Sequence, residues 1–76
     1  MEAFEQRMLQ ESKDLGKQIN KLCDFMKTED FKKVDSFEQF LLSLQVTAME
    51  EYFDALEKRI QKRGLRTVEA EVTILG

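Results

Sequence analysis

Apolar residues recur along this chain with two different periods, and the change of period divides it. Met8, Leu15, Ile19, Leu22 and Met26 fall at steps of 7, 4, 3 and 4, and Phe4 continues the stripe one turn upstream. Steps of three and four keep side chains on one face of an α-helix, which predicts a helix over about 3–27. Ser12 stands in the one gap of that stripe. Gly16 sits in the middle of the helix, either as a tolerated surface residue or as a point of close approach by a second backbone or a ligand. Thr28 can cap a short helical turn containing Phe31. Asp35 and Ser36 then offer N-caps, with Glu38 and Gln39 three residues after each, so a second long helix should begin at about residue 36.

The second helix carries two stripes. Leu42, Val46, Met49, Phe53, Leu56 and Ile60 form one, and Phe37, Leu41, Leu44, Ala48, Tyr52 and Ala55 form the other. One antiparallel partner helix covers a single stripe. The second needs another cover, either another subunit or the tail folded back as part of a monomeric core. Gly64, preceded by Lys62 and Arg63, fits a helix C-terminus. Beyond it Val68, Ala70, Val72 and Ile74 alternate with polar residues, the pattern of a half-buried strand. That strand would pair with a symmetry mate, or the segment is a mobile tail. The expected fold class is therefore all-α. Residues 1–63 form an antiparallel helical hairpin with a short connecting turn, self-associating, and residues 64–76 form a C-terminal tail with a β-like pattern.

Length sharpens the case for self-association. A chain of 76 residues buries only about 60% of its unfolded surface, and small domains compensate with disulfides, a metal or partner chains. The single cysteine, Cys23, cannot make an internal disulfide, and with no histidine there is no zinc motif. The net charge of −3 argues against duplex nucleic acid as a partner, though not against a local basic site for a small anion. No stretch approaches the ~20 apolar residues of a membrane helix, and the start, MEAFEQR, has no apolar leader run. A soluble protein of a reducing compartment is expected.

Catalysis has little to work with. Histidine, a Gly-rich phosphate loop and a nucleophile–base pair are all missing, and Cys23 reads as a small core residue. No enzyme activity, cofactor or metal is expected. Binding has more. An anion carrying bases needs a stacking aromatic, cationic donors and a few hydroxyls or amides. Phe4, Arg7, Lys13, Lys17, Asn20, Lys21 and Thr28 supply those types. The plainer reading makes Phe4 a core or staple residue and the lysines a solvated face with partners one turn away.

The same residues carry a resemblance. Phe4, Arg7, Met8, Leu15, Ile19, Lys21, Leu22 and Phe25, followed by Thr28, Phe31, Gln39, Leu41, Leu42 and AMEEYFDALEKRI (48–60), match in order and spacing. The chain thereby resembles the small bacteriophage anti-CBASS cyclic-oligonucleotide sponges. The resemblance implies a compact helical homo-oligomer, typically a hexamer. It also implies sequestration, without cleavage, of cyclic dinucleotides and in some members of cyclic trinucleotides at a second site, in the cytoplasm of the infected bacterial host. Phe4 stands where that family has tyrosine, Gln18 stands where it has lysine (Lys17 lies beside it), and the tail falls outside the match. On this reading Phe4 stacks on a base, Lys17 and Lys21 meet phosphates, Arg7 is a further ligand-binding residue, Asn20 and Thr28 make polar contacts, and Arg59 belongs to the second site.

Distance adds a constraint. Phe4 and Lys21 lie 17 positions apart, roughly 25 Å along one helix. That exceeds the width of a cyclic dinucleotide. In an antiparallel pair of first helices, Phe4 of one chain would meet Lys17 or Lys21 of the other, giving two aromatics and two lysine sets per two-fold ligand. An alternative of another class is a small helical adaptor or inhibitor that binds a host protein through the spare stripe of the second helix.

Overall fold

The computed structural model describes residues 2–65. Three helices follow in order: α1 (Ala3–Met26), α2 (Glu29–Lys32) and α3 (Ser36–Lys62). The described residues are all-helical, as the 3.6-residue periodicity requires. The alternating segment 67–74 lies outside them.

Each helix end is closed by the local chemistry of its sequence. The backbone N–H of Glu2 donates to Glu5 Oε1 at 3.2 Å, satisfying an exposed donor at the start of α1. Thr28 serves two helices. Its hydroxyl donates to the Phe25 carbonyl at 2.6 Å and accepts from the Phe31 N–H at 3.3 Å, ending α1 and capping α2. Phe25 and Phe31 meet edge to face, with centroids 5.8 Å apart, which fixes the corner. Of the two candidate caps for α3, Asp35 is the one used, its Oδ1 accepting from the Glu38 N–H at 2.8 Å. Gln39 turns back instead, donating to the carbonyls of Phe31 and Val34 at 3.1 and 2.8 Å.

The C-terminus of α3 is a Schellman motif. Gly64 takes a φ of 68°, the left-handed region that glycine adopts without a Cβ clash. Its N–H donates to the Gln61 carbonyl at 2.9 Å, and the Leu65 N–H donates to that of Ile60 at 3.2 Å. Leu65 then packs on the core beside Met8, Leu56 and Ile60.

Contacts between α1 and α3 pair Glu5 with Arg63, Ser12 with Glu57 and Gly16 with Phe53, so the two helices run in opposite directions. Their seam buries Met8, Leu15 and Ile19 against Val46, Leu56 and Ile60. Ser12, the polar gap in the α1 stripe, is also buried, and its hydroxyl donates to Glu57 Oε2 at 2.7 Å. A buried carboxylate tolerates its desolvation only when such partners face it.

Only the first stripe of α3 is covered. Phe37 is 67% exposed and Leu44 52%, and Phe40, Leu41 and Tyr52 are exposed with them. The described molecule is about 15 Å in its thinnest dimension, little more than one helix with its side chains at roughly 10–12 Å. Among the described residues no second layer covers that face.

Two stability measurements follow. Leu56→Ala should cost about 2–5 kcal/mol in urea unfolding, the range for a buried leucine truncated in a packed core. Ser12→Ala should cost about 1–3 kcal/mol by stripping a bond from a buried carboxylate, and Ser12→Ala combined with Glu57→Leu should recover most of that loss. A double variant as unstable as the sum of its single changes would show that the pair is not coupled.

Candidate ligand site

The candidate residues are spread along the α1–α3 pair and the α1–α2 corner. Lys17 and Asn20 line a groove of about 410 Å³ together with Lys13, Gly16, Phe53 and Glu57. Lys21 follows one turn later on α1, exposed and outside that lining. Arg7 lies in a different groove of about 480 Å³, where Gln10, Glu11, Asp14, Gln18 and Tyr52 surround it. Phe4 sits in the first turn of α1, 37% exposed. Arg59 lines a third cleft, of about 290 Å³, with Lys62 and Arg63. Thr28 is held at the α1–α2 corner, where its hydroxyl already makes both capping bonds.

The structure therefore brings Lys17 and Asn20 together with Lys13. It leaves Arg7 in another groove and Phe4 at the opposite end of the helix pair. The spacing argument placed the Phe4 and lysine ends apart, and the extended form of α1 keeps them so.

Charge pairing separates the cations into two groups. Lys32, Lys33, Lys58 and Arg63 form ion pairs with Glu29, Asp30, Asp54 and Glu5. Among the described residues, Lys13, Lys17 and Lys21 have no carboxylate within 4.0 Å. The partners expected for them one turn away do not engage: Asp14, three residues before Lys17, accepts instead from Gln10 Nε2 at 2.9 Å. Three lysines at i, i+4, i+8 repel one another along one helix face. On a chain of net charge −3, this row is a local concentration of positive charge.

Two features of the site were not read from sequence. Phe53 counted only as part of the core stripe, yet its ring also lines the lysine groove. Gly16 explains how: a Cβ there would stand 3.3 Å from Cε1 of Phe53. Its neighbour is thus an aromatic side chain, rather than a second backbone. Arg63 counted only as a helix-end cation. Its Cζ lies 4.5 Å from the centroid of the Phe4 ring, and its Nη1 is 3.4 Å from Glu5 Oε2. Arg63 and Phe4 are 59 positions apart. Only the antiparallel register joins them.

No described helix is long and apolar enough to cross a membrane. No solved structure matches the chain. An uncharacterized 7.5 kDa protein from the denB–rIIB intergenic region of Enterobacteria phage T4 is 38% identical over 60 residues, covering 79% of this chain and 94% of that protein. The family model described as Sequestin matches residues 2–62, which take in all three helices and every candidate residue. The chain belongs to the Sequestin family.

Proposed function

We propose that this chain is a phage anti-defence protein that sequesters cyclic dinucleotides, and at a second site cyclic trinucleotides, without cleaving them. It would work as a homo-oligomer of antiparallel helical hairpins in the cytoplasm of the infected host, withholding the second messenger that triggers CBASS immunity. The observation that carries this reading is the unpaired row Lys13–Lys17–Lys21 beside Asn20 and Phe53 on an acidic chain. Like charges held together with no carboxylate in ion-pair range are unfavourable for a lone helix and favourable for an anion that bridges them. The family name, which denotes sequestration, and the phage source of the T4 relative both agree with it.

The site is shared between chains. Phe4 and Lys21 are roughly 25 Å apart along α1, so one cyclic dinucleotide reaches both only where two α1 helices cross in opposite directions. Two-fold symmetry then repeats that pairing at the other end of the crossing, so each ligand meets the Phe4 ring of one chain and the lysine row of the other. The exposed stripe of α3 supplies the apolar surface for that assembly, which the resemblance makes a hexamer.

The same exposed stripe favours the second reading, an adaptor that docks a host protein. The two readings separate by mutation. In calorimetry with a panel of cyclic di- and trinucleotides, Lys17→Ala, Lys21→Ala and Phe4→Ala should each weaken binding by about tenfold or more, and raised salt should weaken the wild type. No binding to any member by the folded oligomer would overturn the sponge reading. Partner capture lost in Tyr52→Ala but kept in Lys21→Ala would favour the adaptor. Separately, Leu44→Glu should reduce the assembly to monomers in sedimentation without unfolding the helices, because it places a charge in the stripe that copies are proposed to share.

A further inference from the structure

We propose that Arg63 is a ligand-binding residue of the Phe4 end, and that Phe4, Arg63 and Lys62 of one chain form a base-and-phosphate subsite for a nucleotide. With the sponge reading this shares Phe4 as a stacking surface and the cleft that Arg59 lines. It assigns charge at that end to the same chain, in addition to the lysines of a crossing copy.

Arg63 is held in place by its neighbours on both helices. The Schellman turn at Gly64 fixes the backbone at the end of α3, and Leu65 anchors the following residue in the core. The Arg63 side chain then reaches across to α1. Its guanidinium lies over the Phe4 ring at 4.5 Å, and its Nη1 is 3.4 Å from Glu5 Oε2. Glu5 is itself steadied by the Glu2 N–H at its other oxygen. A planar cation on an aromatic face is favourable, and it orders both groups.

That arrangement leaves capacity on both sides. Phe4 has one face under the guanidinium and is still 37% exposed, so ring surface remains for a base. Among the described residues only Nη1 of Arg63 is hydrogen-bonded, leaving the donors of Nη2 and Nε. The cleft of about 290 Å³ that Arg63 shares with Lys62 and Arg59 adjoins it. Neither Lys62 nor Arg59 has an ion-pair partner among the described residues. Arg63 is common to the ring contact and to the cleft. A stacking surface and a cationic cleft that share one guanidinium match a planar base beside a phosphate, and the fork of Arg63 suits phosphate oxygens. A cyclic oligonucleotide or a free nucleotide could present that unit.

The test uses the full chain and two probes. In heteronuclear NMR titrations with ADP, the Phe4 ring protons and the Arg63 Nε–H should shift saturably. Arg63→Ala should weaken that binding by about tenfold to a hundredfold, the scale of a charge-assisted hydrogen bond, and Lys62→Ala by less. Arg63→Lys keeps the charge, loses the fork and should fall between, with circular dichroism unchanged in all three. Absence of ADP shifts at Phe4 and Arg63, or equal affinity in Arg63→Ala, overturns the proposal. Parallel titrations with cyclic dinucleotides keep the two readings apart. Tight cyclic dinucleotide binding that is sensitive to Lys21→Ala but not to Arg63→Ala overturns the role of Arg63 and leaves the sponge standing. ADP shifts lost in Arg63→Ala, with no cyclic nucleotide bound at all, support the subsite and overturn the sponge.

Discussion

A pair of helices can bury one face of each, and that limit governs this molecule. The α1 helix has one apolar stripe and spends it on α3. The α3 helix has two, and among the described residues one of them stays exposed. Phe37, Phe40, Leu41, Leu44 and Tyr52 form an apolar surface that few small soluble domains leave open. Every functional reading of the chain follows from what covers that surface. A second copy leads to a site shared between chains, and a foreign protein leads to an adaptor.

Inside the pair, register decides which residues become neighbours. The buried Ser12–Glu57 hydrogen bond would be broken by a slip of α1 along α3, so it favours one alignment over its neighbours. That alignment puts Phe53 against Gly16 and Arg63 over Phe4. Phe53 thereby lines the groove of Lys13 and Lys17, and Phe4 lies against a guanidinium that itself lines the cleft of Arg59 and Lys62. The site chemistry is thus a consequence of register, because the residues concerned are far apart in sequence.

The fold was legible in the sequence because it rests on local signals. The 3–4 steps of Met8 to Met26 and of Leu42 to Ile60, the caps at Thr28 and Asp35, and Gly64 as the terminator all act within a turn of themselves. The site was legible only in part. Lys17 and Asn20 share a groove because they share a helix face, and spacing shows that. Arg63 on Phe4 and Phe53 beside the lysines depend on the crossing of two helices, which no spacing rule reports. Ser12 was visible as a gap in a stripe, but its meaning waited on Glu57, 45 positions later. The lack of carboxylate partners for Lys17 and Lys21 was likewise unreadable, since Asp14 and Asp24 stand one turn away from them in sequence.

The central claim is that two chains build one site for a ligand that leaves unchanged. Native mass spectrometry of the oligomer saturated with a cyclic dinucleotide, followed by denaturation and identification of what is released, tests it most directly. The account predicts ligand bound only to assembled chains and recovered intact. Ligand bound to a single chain, or release of a linear cleavage product, would contradict it.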